Sequence, residues 1–191
     1  MEDDVQKAVD IFLRSGVVIF PTDTAYGIGC RIDDENAVEK VFTIKGRDFG
    51  KAVPVLVSDV EMAKRYVKVE SDAEDLMNKY WPGGLTIVLP ATTAFVSPLV
   101  KGKENTLAVR MPHKNDILKI IAEIDVPIIG TSANFAGEKT PFSFEELDPN
   151  LVEKVDFVLK GSCEKGMSST VLDATKIPWK VLRQGAVSVE F

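Results

Sequence analysis

Short β-forming runs that alternate with amphipathic stretches constrain the fold of this chain more than any other feature of its sequence. Residues 17–20 (VVIF), 53–57 (VPVLV), 85–89 (LTIVL), 106–110 (TLAVR) and 126–129 (VPII) predict strands. Between them, Val5, Ala8, Val9, Phe12 and Leu13 recur at helical spacing, and Ala37, Val38, Val41, Phe42 and Ile44 form a second apolar face. Asp33-Asp34-Glu35 supplies a start for that second helix, which should end near Lys45-Gly46-Arg47. Ser58-Asp59 predicts a cap for a helix through Tyr66, and Asn115 a cap for one through Glu123. Residues 71–80 predict another helix, stopped by Trp81-Pro82-Gly83-Gly84. Late strands are expected at 155–159, 170–172 and 181–182. Residues 91–105 predict a loop or partial helix, and 142–150 a mobile surface segment. The alternation implies an α/β fold: a mixed parallel and antiparallel sheet flanked by helices.

At 191 residues the chain suits one domain over 1–191. A net charge of −6 argues against a protein that coats nucleic acid non-specifically, so any anionic substrate must be met by a local basic cluster. The only two cysteines, Cys30 and Cys163, show neither CxxC nor Cys/His spacing and suggest no disulfide framework or zinc site. The N-terminus lacks the charge and apolar pattern of a signal peptide, and no apolar run spans a bilayer; a cytoplasmic protein is expected, with no membrane partner.

The first strand breaks at Pro21 into Thr22, Asp23, Thr24, Tyr26, Gly27 and Gly29. Such a glycine-bearing polar loop can offer hydroxyls and a carboxylate to a small polar ligand, or can be a turn whose Thr and Asp bond their own backbone. KGRDFGK gathers Lys45, Arg47 and Lys51 around glycines, as an anion site or as a solvated basic loop. Arg110 and Arg183 each end a strand, where a cation needs either an acidic neighbour or a ligand anion. Ser132 and Asn134 follow the VPII strand, and Ser168-Ser169-Thr170 precedes another. Trp81, Phe95 and Tyr80 could stack on a base or belong to the core. No Walker loop or GxGxxG fingerprint occurs, and the lone His113, without a GxSxG elbow, disfavours a hydrolase triad.

PTDTAYGIG at 21–29, KGR at 45–47, WPGGLTIVL at 81–89, TLAVRMP at 106–112, GTSANFAG at 130–137, SSTVLD at 168–173 and LRQGAV at 182–187 stand in order along nearly the whole chain. Together they resemble the YrdC-like family, the threonylcarbamoyl-AMP synthases. The resemblance implies a twisted open α/β sheet around a concave basic cavity. It also implies condensation of L-threonine, bicarbonate and ATP, with Mg2+, to threonylcarbamoyl-AMP and pyrophosphate for tRNA modification, a separate transferase complex then carrying the group to tRNA. By position, the family's KxR and SxN tetrad falls on Lys45, Arg47, Ser132 and Asn134. ATP contacts fall on Arg47, Lys51, Thr106, Ser132, Thr140 and Arg183, and threonine contacts on Thr24, Arg110, Ser169 and the Gly130 backbone. The chain departs from the common pattern at Asp48, at Lys51-Ala52-Val53, at Leu56 where longer members often carry histidine, and at Ser168 in place of a glutamate. It resembles the short form, without the extra C-terminal domain. Two other readings are a double-stranded RNA-binding module, which the acidic charge opposes, and a sister enzyme using another carbamoyl donor.

Overall fold

A computed structural model describes residues 2–48, 53–92, 96–101, 105–164 and 166–190. The strands, in chain order, are β1 Val18–Pro21, β2 Tyr26–Gly29, β3 Pro54–Leu56, β4 Leu85–Pro90, β5 Thr106–Arg110, β6 Ile128–Ile129, β7 Thr131–Ser132, β8 Phe157–Val158, β9 Thr170–Asp173 and β10 Lys180–Arg183. They form two open sheets rather than the one expected: β7-β2-β1-β8 and β10-β9-β4-β5-β3-β6. Pairing is mixed in both. β1 runs antiparallel to β2 and parallel to β8, while β4 runs antiparallel to β5 and parallel to β9.

The sheets meet along one stretch of backbone. Ile128 and Ile129 pair with β3, and two residues later Thr131 and Ser132 pair with β2. Residues beyond β2 complete the junction: Arg31 bridges Ile128, and the Ile129 amide donates to the Cys30 carbonyl at 2.8 Å. This contact explains a glycine. A Cβ on Gly29 would stand 1.7 Å from the Ile129 carbonyl oxygen, so no other residue lets the strands close. Gly130 likewise leaves room for Leu56, whose Cγ would lie 2.4 Å from a Cβ there.

Six helices flank the sheets among the described residues: α1 Glu2–Leu13, α2 Glu35–Lys45, α3 Val60–Tyr66, α4 Ser71–Tyr80, α5 Asn115–Ile124 and α6 Pro149–Val152. Asp34 caps α2 by accepting from the Ala37 amide, Gly46 ends it in the left-handed conformation, and Asp59 caps α3 through the Met62 amide at 2.7 Å. Asn115 does not cap α5. Lys114 holds that place without a side-chain bond, and the helix is fixed instead by Ile117, Ile120, Ile121 and Ile124, all buried. Residues 142–150 carry a short 3-10 turn, Phe144–Glu146, and the start of α6, anchored by buried Leu147 and Leu151. Phe12 of α1 meets Phe20 of β1 edge to face, 6.4 Å between centroids, joining helix and sheet in the core. No described helix is long and apolar enough to cross a membrane.

Candidate active site

The loop expected over residues 22–29 is much shorter, because the chain turns back at Ala25 and continues as β2. The Thr22 hydroxyl makes that turn. It donates to the Ala25 carbonyl at 2.7 Å and accepts from the Thr24 and Ala25 amides at 3.2 Å. Asp23, for which a ligand-facing role and a turn role are both open in the sequence, is wholly buried and turned to protein: its Oδ1 accepts from Arg110 Nη2 and, at 3.0 Å, from the His113 amide. Arg110 donates further from Nε to the Gly83 carbonyl at 2.8 Å and from Nη1 to Thr24 Oγ1 at 2.7 Å. Burial draws the Arg110 pKa down and Asp23 draws it up.

A second clasp forms where α2 ends. Lys45 is 3% exposed, and its Nζ donates to the carbonyls of Ser132 and, at 2.6 Å, Asn134. The Lys45 carbonyl accepts from the Ala136 amide at 2.8 Å, so the lysine binds this loop from both ends. Asn134 Nδ2 donates to the carbonyls of Phe135 and Glu138, each at 2.9 Å, and tightens the same loop. Burial, with the nearby Arg47 charge adding to it, pushes the Lys45 pKa down to about 8.

Near the C-terminus, Arg183 folds onto Ser169. Its Nε and Nη2 donate to the Ser169 carbonyl at 3.0 and 2.8 Å, and Nη2 reaches Ser169 Oγ at 3.2 Å. That hydroxyl lies 2.9 Å from Thr86 Oγ1 in β4. The LRQGAV turn is held down by Thr170, whose hydroxyl donates to the Val187 carbonyl at 2.6 Å, and by the Ala186 amide on the Ser168 carbonyl.

Between these three groups lies a cavity of about 360 Å³, at the lower end of small-ligand sites. Arg47, Arg110 and Arg183 line it, and among the described residues no carboxylate does. Of the residues carried over by resemblance, Thr24, Arg47, Arg110, Gly130, Ser132, Thr140, Ser169 and Arg183 come together here. Lys45 and Asn134 are not among its lining residues; they hold the loop that carries Ser132. Thr106 lines a separate depression with Asp173 and Lys180. Lys51 lies outside the described residues, as does Phe95, and Trp81 is a core residue whose indole donates to the Leu85 carbonyl at 2.7 Å. Thr86, Thr131 and Tyr26 line the cavity without having been singled out as contacts. Their signal was a polar residue inside an apolar strand run, as in Leu85-Thr86-Ile87. Tyr26 is locked in place, its hydroxyl donating to the Gly161 carbonyl at 2.5 Å and accepting from the Gly161 amide at 3.0 Å.

The family profile Sua5_yciO_yrdC, described as Telomere recombination, matches residues 10–185. The chain belongs to this Sua5/YciO/YrdC family. It is 36% identical over 182 residues to the threonylcarbamoyl-AMP synthase of Pyrococcus abyssi, covering 94% of this chain and 53% of that protein. It is 32% identical to the putative threonylcarbamoyl-AMP synthase of Methanocaldococcus jannaschii, covering 99% of this chain and 91% of that one. The structure of P. abyssi Sua5 complexed with L-threonine superimposes with a TM-score of 0.89 at 34% identity, over 97% of this chain and 55% of that one. The chain thus spans about half the length of the Pyrococcus relative.

Within this Sua5/YciO/YrdC chain, Leu56 packs on Gly130 and does not line the cavity, and Ser168 does line it. Among the described residues, no group of three or more His, Cys, Asp or Glu side chains could hold a metal ion.

Proposed function

We propose that this chain is a threonylcarbamoyl-AMP synthase, one YrdC-like domain over 1–191 that condenses L-threonine, bicarbonate and ATP to threonylcarbamoyl-AMP and pyrophosphate. One observation carries the reading: one cavity, with no carboxylate among its described lining residues, gathers three arginines and a set of hydroxyls contributed by residues 22 to 183. In this reading Arg110, buried and steadied by Thr24, holds the threonine carboxylate. Arg47, Arg183, Ser132 and Thr140 receive the triphosphate, with Lys51 and Thr106 as further ATP contacts. Threonine's amine adds to the carbon of bicarbonate-derived carbon dioxide and loses a proton. The carbamate oxygen then attacks the α-phosphorus, and the bond to the β-phosphate oxygen breaks to release pyrophosphate. Such a displacement needs alignment and charge neutralisation, which arginines and hydroxyls provide, and no protein nucleophile. Magnesium belongs to this reading as an ion that ATP carries, and the product passes to a transferase that modifies tRNA.

Pyrophosphate release from ATP, with threonine or bicarbonate omitted in turn and serine substituted for threonine, tests it. Release that needs both and responds weakly to serine is expected. Turnover indifferent to threonine would replace this reading with a sister enzyme.

A further inference from the structure

Asp23 lies outside the cavity lining, yet it is fully buried and bonded to Arg110, the most deeply buried of the three arginines that line it. A buried carboxylate is costly, and this one is only half used: Oδ2 meets no donor among the described residues. What Asp23 does is cancel charge. Among the described residues Arg110 commits three of its five N–H groups, to Asp23, Thr24 and Gly83, and two remain. Arg183, whose charge also reaches Arg110, directs its hydrogen bonds to neutral groups of Ser169. The cavity is therefore electrically two-sided, close to neutral beside Arg110 and positive beside Arg183.

We infer that Asp23 is a positioning residue that fixes the Arg110 fork and makes its end of the cavity select a zwitterionic amino acid over a phosphate dianion. A guanidinium of fixed plane with spare N–H groups still matches one carboxylate. An unpaired guanidinium there would draw any small anion, polyphosphate above all, into the amino-acid position, and the two substrates would compete. The inference rests on the reading of Arg110 as the partner of the threonine carboxylate.

Calorimetric titration of L-threonine and inorganic phosphate, each with and without the other, into the wild type, Asp23→Asn and Thr24→Val tests it. In the wild type, phosphate competes with ATP and leaves threonine binding unchanged; displacement of threonine by phosphate overturns the inference. Asp23→Asn keeps an oxygen for the His113 amide but loses the charge. It is expected to weaken threonine about tenfold and to bind phosphate about tenfold more tightly, now in competition with threonine. Thr24→Val loosens the fork without changing charge, so it weakens threonine and attracts no phosphate. If Asp23→Asn changes both ligands in the same direction, Asp23 is merely structural and the inference falls. Threonine binding without pyrophosphate release would overturn the synthase reading and leave the charge selection standing.

Discussion

Lys45 and Arg110 are both buried cations at the ends of regular elements, and both sit within a motif that the resemblance marks as functional, yet the fold uses them differently. The Lys45 ammonium is turned to the carbonyls of Ser132 and Asn134, outside the cavity lining. Arg110 is gripped just as firmly, by Asp23, Thr24 and Gly83, but its planar fork has more donors than its neighbours accept, and it lines the cavity. Burial and charge alone do not distinguish a ligand contact from a brace. Access to the cavity does: Arg110 lines it and Lys45 does not.

Three variants can break or sharpen this contrast. Arg110→Ala has the largest expected effect: it leaves Asp23 buried without its ion-pair partner, costs about 3–5 kcal/mol of stability in urea melts, and removes threonine-dependent turnover. A fully stable Arg110→Ala protein with only an ATP-side defect would contradict the assignment. Lys45→Met comes next, at about 2–3 kcal/mol, because two carbonyls lose their donor, and faster amide exchange at residues 133–138 should accompany the loss. Folding lowers the Lys45 pKa from 10.5 to about 8, so between those values the unfolded chain binds the extra proton. The stability of the wild type relative to Lys45→Met should therefore rise with pH across that window, by up to about 3 kcal/mol, and a flat difference would mean that the two carbonyls hold the lysine charged throughout. Arg183→Ala is the mildest for the fold: an exposed side chain bonded to one neighbour costs about 1 kcal/mol or less, while the KM for ATP rises about tenfold.

Much of the fold was legible because burial leaves a period in the sequence. The strands at 85–89 and 106–110, the caps at Asp34 and Asp59, and the stop at Gly46 follow from local chemistry. β2 and β7 were not legible. YGIG and TS carry no β-branched alternation, and they are strands because backbone pairs with them, β1 next to YGIG in the chain and YGIG with the distant TS. The same limit governs the site. The resemblance pointed to Ser132, Arg110 and Arg183, which do line one cavity. Lys45 and Asn134, which the resemblance groups with them, bond the loop that carries Ser132 instead, and sequence position does not say which way a side chain points. For Asp23 the sequence leaves a ligand group and a self-bonding turn residue both open, because its partner stands 87 residues further along the chain.

The clasp of Lys45 on Ser132 closes a loop of the same span, 87 residues. Both clasps are thus among the costliest contacts to form in chain entropy and cannot precede the strand pairings that bring their ends together. The cavity is thus a product of long-range closure, its walls joined by contacts between halves of the chain that no local segment can make alone.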